Sequence, residues 1–469
     1  MLEQIGDWIH RLVWGPATLG ALLLIGVYFT LRSRFFPLRR MGLWWKETVG
    51  SFFVKSDRNS KPEARRKGIS SFQAMTAALA GAMGTGNIVG VATALAIGGP
   101  GAIFWMWVSS LFGMMTIFGE NVLGYRYRQK NKKGEWVGGP MYYLSKGLNS
   151  RFLAGLFAVA CVLSSLGMGN MTQANSIAGA LDAGFQVPGW ATGLALSLLV
   201  GIIIIGGLKR IAGFTEKIVP FMSVFYLLGC LAVIVVHGKN LPGVFGSIFQ
   251  QAFQFQAAAG GGAGFAVAAM TQGISKGVFS NEAGLGSAPI IYAVSEEGDG
   301  IKQGMWGIFQ VFADTIVGCT VTALCILASG ALNSGLTGVA LSTQAFSSVF
   351  GKLGGVFVAV SIVMFAFATL VSWSYYGERS LEYLAGERLV PVYRFLYAAC
   401  AALGCVLSLD SVWKAADTFN GLMAIPNMIA LVLLSREVFA EMSSHRLLKN
   451  GIKKRRRENA PHPLKMNQK

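Results

Sequence analysis

The chain has 469 residues, 53% hydrophobic and 13% charged, with a formal charge of +18. A soluble chain carries about 25% charged residues, on amphipathic rather than all-round apolar helices. Repeated apolar runs of roughly 18 residues or more therefore exclude a soluble fold and define a polytopic membrane protein.

Runs long enough to cross ~30 Å of hydrocarbon predict eleven spans, at 12–36, 72–98, 101–127, 152–182, 189–207, 214–236, 263–295, 302–332, 354–384, 390–409 and 412–440. The first lacks a basic leader and a small-x-small cleavage signal, so it reads as a retained helix. Segments 38–70 and 128–150 are polar, with apolar patches at Leu43-Trp44-Trp45 and Met141-Tyr142-Tyr143-Leu144. Interfacial helices would put these aromatics at headgroup level. Residues 241–258 and 337–351 read as re-entrant or surface helices outside, placed where lids act.

With the N-terminus outside, 35 of the 40 Lys/Arg fall in the cytoplasmic segments. That asymmetry sets orientation and explains the basic charge without a nucleic-acid ligand. The basic run Lys453 to Arg457 would additionally meet anionic lipid headgroups. The acidic loop Glu296-Glu297-Gly298-Asp299 sits on the cytoplasmic side of this scheme, which tolerates it because acidic residues weigh little in the rule.

The six cysteines lie inside apolar runs without ligand spacing and read as small core residues. His10, His237, His445 and His462 lie at or beyond span ends, so neither a transition-metal site, nor a cofactor, nor a histidine proton relay is expected.

Two polar interruptions break the apolar pattern. Gly84-Thr85-Gly86-Asn87 interrupts the second span, and Gln272-Gly273-Ile274-Ser275-Lys276-Gly277, followed by Ser280-Asn281-Glu282-Ala283-Gly284, interrupts the seventh. Irregular backbone is tolerated at membrane depth only where protein or a water-filled cavity satisfies it. A break exposes carbonyls suited to sodium or an ammonium, and amides suited to a carboxylate. The competing reading of Gly86-x-x-x-Gly90 is helix packing. A dinucleotide fingerprint fails, because Val89 fills its third glycine position. Setting the first span aside, each group of five opens with an interrupted span, and five being odd, the groups are inverted.

Among ionisable residues, Lys276, Glu282, Asp314 and Asp417 lie within or near spans, where charge is costly and defaults to function. Asp314 reads as a coupling group, or as a hydrogen-bond partner of a neighbouring break. A Lys276–Glu282 pair would stabilise the second break. Glu120 and Glu216 read as interfacial or gating residues near cytoplasmic ends.

Three stretches together resemble the signatures of the alanine or glycine:cation symporter family: Gly84-Thr85-Gly86-Asn87-Ile88-Val89-Gly90-Val91-Ala92, Gly98-Gly99-Pro100-Gly101-Ala102, and Gly277 through Pro289. Gly138-Gly139-Pro140-Met141-Tyr142-Tyr143 matches as well, and the resemblance runs from about residue 12 to 440. It implies an all-α, leucine-transporter-type 5+5 inverted repeat behind one extra helix. The corresponding organisation is 1–37 an N-terminal transmembrane helix, 38–71 a cytoplasmic amphipathic linker, 72–238 the first repeat, 239–440 an extracellular segment and the second repeat, and 441–469 a basic cytoplasmic tail.

The implied activity is sodium- or proton-driven uptake of small neutral amino acids across a bacterial-type inner membrane. Sodium is then a co-transported ion and no cofactor is required. By the same resemblance, Gly84 and Asn87 bind a cation, with Thr271 or Ser275 completing the shell. Thr369 and Ser372 would form a second cation site, or bond back to their own helix. Trp373, on the same face, would wall the pocket or simply pack. Gln173 would contact substrate, while Asn170 would do so or serve as interhelical glue. Thr85, Gly86, Gly273 and Gly277 would present backbone to substrate, leaving open the part played by the Thr85 hydroxyl. A glutamine-preferring or proton-coupled symporter, a passive channel and a membrane enzyme are the alternatives.

Overall fold

In the computed structural model, residues 13–52, 68–253, 265–296, 298–407 and 410–448 are described. The expectations for His10, His462, Glu297 and Lys453 to Arg457 lie outside them. The described residues are almost wholly helical, their strands limited to a short hairpin of β1 (Gln129–Lys130) and β2 (Trp136–Val137). Helix α1 (Pro16–Arg32) is followed by α2 (Ser71–Ala82) and α3 (Val89–Gly98), which form one apolar segment bent by 60°. Ser70 and Gln73 start α2 with a reciprocal capping box.

Next come α4 (Gly101–Arg126), α5 (Arg151–Leu166), α6 (Thr172–Phe185), α7 (Gly189–Ile205) and α8 (Gly207–Val236). A π-helical turn, Gly167–Met171, joins α5 to α6. The second half holds α9 (Leu241–Ala252), α10 (Phe265–Asn281), α11 (Ala288–Tyr292), α12 (Gly300–Val311), α13 (Thr320–Ala328), α14 (Gly338–Phe350), α15 (Leu353–Ala385), α16 (Val390–Val406) and α17 (Asp410–Ser444). A second π segment, Phe312–Cys319, joins α12 to α13.

Among the described residues seven helices are long and apolar enough to cross a membrane, or eight with the bent pair counted as one. The expected first and fifth spans are 17-residue helices, α1 and α7, so length alone does not reach eleven crossings. At the centre, α2 packs against α8 and α15, while α3 and α4 pack against α10. Outside, α7, α8 and α16 turn residues such as Leu194, Val235 and Phe395 outward, as hydrocarbon-facing helices do.

The second break is displaced from its expected position. Gln272 to Gly277 lies inside the continuous helix α10, and the chain leaves helical geometry only at Glu282 to Ser287. Gly273 and Gly277 face α4: a Cβ on Gly273 would come within 2.3 Å of the Ala102 carbonyl, and one on Gly277 within 2.5 Å of Ser109 Oγ. They are close-packing positions of the small-x-x-x-small kind. Gly273→Ala should therefore destabilise the protein by about 1–3 kcal/mol through overpacking. A lowered melting temperature in detergent checks this, and an unchanged one contradicts the packing. For Gly86-x-x-x-Gly90 the outcome is opposite, since a Cβ on Gly90 would meet nothing within 4 Å.

The aromatic patches expected at headgroup level are largely internal. Trp44 is buried and donates to the Pro37 carbonyl at 2.8 Å, and Met141, Tyr142, Tyr143 and Leu144 are all buried. Tyr143 donates to Asn427, which draws this segment into the bundle. The acidic loop is structural: Glu296 accepts from Gly68 N (2.6 Å), and Asp299 caps α12 and meets His445 at 2.8 Å.

Candidate functional site

The first break opens because α2 has no helical successor after Ala82. Gly84 bonds back to Ala82 O at 2.9 Å, and Thr85–Asn87 forms one 3₁₀ turn before α3 begins. A helix that ends in the interior leaves carbonyls without intrahelical donors. Here α15 supplies them: Thr369 donates to Ala80 O (2.8 Å) and the Trp373 indole to Gly81 O (3.3 Å), while Ser372 reaches Ala77 O one turn further back (2.5 Å). The i, i+3, i+4 face of α15 is thus turned onto the break. Thr369 also bonds its own helix, at Phe365 O (3.1 Å). A Cβ on Gly84 would lie 2.7 Å from Thr369 Oγ1, so glycine is needed there for close approach.

Gln173 reaches the same place from α6. Its Nε2 donates to Met168 O (3.3 Å), while its buried Oε1 has no protein partner and would lie 3.4 Å from a Cβ on Gly84. The π turn presses Gly169 against Trp373, where a Cβ would fall 2.5 Å from the side chain. Asn170 instead donates to Tyr397 O at 2.6 Å, linking two helices. Thr85 is buried at the break, and its carbonyl accepts from Ile88 N at 3.2 Å.

Asn87 and Asp314 form the second cluster. Asn87 Nδ2 donates to Asp314 Oδ1 at 2.8 Å, and Asp314 Oδ2 accepts from Ser280 and Thr315, each at 2.8 Å. Asn87 Oδ1 is fully buried without a protein partner. Asp314 thus joins the first break to the end of α10 through the π segment, an irregularity frequent at functional sites. Ser280 and Thr315 are ligand-type oxygens that motif reasoning overlooked. Thr271 and Ser275 lie nine and five residues before Ser280, half-buried within α10.

At the second break Glu282 adopts φ 59°, and Gly284 and Gly286 adopt φ 95° and 82°. The Glu282 carboxylate accepts from Ser287 (2.5 Å) and from the Trp373 indole (3.0 Å). It is therefore held by α15 and not by Lys276, whose ammonium lies 5.5 Å from the Phe279 ring. The Trp373 indole thus bonds directly to both broken segments. Glu120 is fully buried beside the same break, accepting from Gly286 N (3.1 Å) and from Asn427, which also donates to Gly284 O (2.9 Å). The interfacial assignment of Glu120 is thus overturned; an acidic residue next to Asn121 in an apolar span was the available signal.

Two further features flank the centre. Helix α14 lies over α3, and its Ser342 reaches Ile88 O at 3.3 Å. At the end where α15 terminates, a cavity of about 340 Å³ is ringed by ion pairs. Glu378 accepts from Arg379 (3.0 Å) and Arg394 (2.7 Å), and Arg379 also meets Glu382 (2.5 Å) and Glu135 (3.6 Å).

Paired helix breaks on opposing segments, tied by one long helix, define a transporter-type core of leucine-transporter architecture. Solved structures share the fold: MhsT in complex with L-phenylalanine (TM-score 0.54, 14% identity, 79% of this chain and 90% of that one) and a manganese transporter of Eremococcus coleocola (TM-score 0.53, 16% identity, 78% and 76%). The sodium:alanine symporter family model matches residues 1–459, and the chain belongs to that family of transporters, not enzymes. Its relatives include the sodium/alanine symporter AgcS of Methanococcus maripaludis, 41% identical over 96% of this chain and 98% of the relative. The "Probable sodium/glutamine symporter GlnT" of Bacillus subtilis is 40% identical over 95% and 91%.

Proposed function

We propose that the protein imports a small neutral amino acid, alanine or glycine, together with sodium by alternating access. The membrane is a bacterial-type inner membrane, with the N-terminus outside and the C-terminus cytoplasmic. The observation that carries this reading is the buried, unpartnered Oδ1 of Asn87 beside the Asp314 carboxylate. Among the described residues no ion pair neutralises Asp314. A buried carboxylate without a counter-charge costs several kcal/mol, and a hard cation offsets that cost. Asn87 Oδ1, Asp314, Ser280 and Thr315 supply an all-oxygen donor set for it. Thr369 and Ser372, with the carbonyls of Ala77 and Ala80, supply oxygens for a second cation.

The amino acid then sits against the first break. Its ammonium meets Gln173 Oε1, its carboxylate meets the leading amides of the turn Thr85–Asn87, and its side chain rests on Trp373. Alternating access requires a barrier on each side of this site. On the outer side that is α14 over Ile88; on the inner side it is the Glu378–Arg379–Arg394 ion pairs.

Proton coupling is the second reading, favoured by three buried carboxylates near the breaks, Glu120, Glu282 and Asp314. Glutamine is the competing substrate, given the similar identity to both named relatives. Uptake of labelled alanine into proteoliposomes under an inward sodium gradient separates these readings, with glycine, L- and D-alanine, serine and glutamine as competitors. Strong sodium-dependent uptake blocked by glycine is expected. Uptake driven equally by a proton gradient without sodium, or blocked only by glutamine, would defeat the proposal.

A further inference from the structure

At the end of the bundle where α1 stops, a groove of about 1240 Å³ opens between α1 and α17. Five arginines line it, Arg32, Arg34, Arg39, Arg40 and Arg436, and among the described residues its lining includes no acidic side chain. The backbone places them there at a cost. Arg34 and Phe35 adopt φ 59° and 57°, a left-handed conformation unfavourable for bulky residues, and this reversal folds the short helix Phe36–Arg39 back against α4, where it lines the groove together with α17. Converging guanidinium groups repel one another unless an anion lies among them. Arg32, Arg34, Arg39 and Arg436 are all exposed.

The groove is also continuous with an apolar flank. Leu24, Leu31, Val432 and Leu433, on the same two helices, are 50–68% exposed. The Arg32 guanidinium stands 5.9 Å from the Phe439 ring at the junction. A ligand fitting both parts carries a phosphate at one end and hydrocarbon at the other. Basic pockets between membrane helices hold lipid headgroups in this way. We infer that this groove is a specific site for an anionic phospholipid, its phosphate held by the arginines and its acyl chains lying along α1 and α17.

Native mass spectrometry of the detergent-purified full chain tests the inference with dioleoylphosphatidylglycerol and dioleoylphosphatidylcholine as probes. The anionic lipid should bind the first site at least about ten-fold more tightly than the zwitterionic lipid of identical chains. Arg34→Gln/Arg39→Gln/Arg436→Gln should remove that preference. The matching triple Lys substitution, which keeps the charge, should retain most of it and guards against misfolding. Neutralising the tail with Lys453→Gln/Lys454→Gln/Arg455→Gln should leave it intact, and glycerol phosphate should not displace the lipid. Equal binding of both lipids overturns the site. So does loss of preference in the tail variant with retention in the groove variant, or displacement by glycerol phosphate, which marks a free-anion site.

Discussion

Asn87→Ala should abolish sodium-driven alanine uptake while leaving a folded, monodisperse protein. The substitution removes two things at once. The amide that holds Asp314 Oδ1 at 2.8 Å is lost, as is the buried Oδ1 that has no protein partner. Leaving a buried acceptor unsatisfied costs about 1–3 kcal/mol, and more for a charged one. Losing a ligand oxygen weakens cation binding in addition. Together these amount to a fall of at least ~100-fold in uptake at limiting sodium, taking ~1.4 kcal/mol per ten-fold. Asp314→Asn is the companion variant: it keeps the shape of the cluster and removes its charge, so it should bind sodium poorly while melting close to the parent protein. Initial uptake rates against sodium concentration, with melting curves alongside, check both. Unchanged uptake by Asn87→Ala at limiting sodium would sink the cation assignment.

The second large effect is expected at Trp373. Its indole N–H is shared between Gly81 O (3.3 Å) and Glu282 (3.0 Å), so one group ties the first broken segment to the second. Trp373→Phe retains an aromatic ring against Gly169 but strands both acceptors. Glu282→Gln removes the charge and preserves the acceptor oxygen toward Ser287 or Trp373, but not both in the same geometry. Each single change should raise the alanine KM by about ten-fold. The double variant should be little worse than either single, because residues in one hydrogen-bonded network couple by about 0.5–3 kcal/mol. Independent, multiplying effects would show that Trp373 does not link the breaks.

How much of this centre is legible in the amino-acid sequence depends on which physical feature marks it. Gly84-Thr85-Gly86-Asn87 is readable because a glycine pair and an amide stand alone in an apolar run, and the bend falls there. The spacing of Thr369, Ser372 and Trp373 shows one helical face, and that face meets α2. The second break is not readable in the same way. Gly273 and Gly277 carry the same pattern as a break, yet use the missing Cβ to approach α4. The real interruption begins at Glu282, a residue type with no preference for positive φ, stabilised there by Ser287 at the far end of the interruption and by Trp373 from α15. Glu120 is misplaced for a related reason. Distance from a span end is read along the chain, whereas its burial comes from Asn427, 307 residues away, and from the backbone of Gly286. Likewise Met141 to Leu144 reads as amphipathic because the polar groups that draw Tyr143 inward lie on α17.

The central claim is that cation and amino acid share one organising centre, so that each must favour the arrangement the other needs. Linkage then requires each to tighten the other by the same factor. Alanine affinity of the purified protein, measured by calorimetry in sodium and again with sodium replaced by choline, tests this most directly. The expected result is alanine binding at least about ten-fold tighter in sodium, a coupling of roughly 1.4 kcal/mol, with the difference absent in Asn87→Ala. Equal alanine affinity in the two salts would contradict the account.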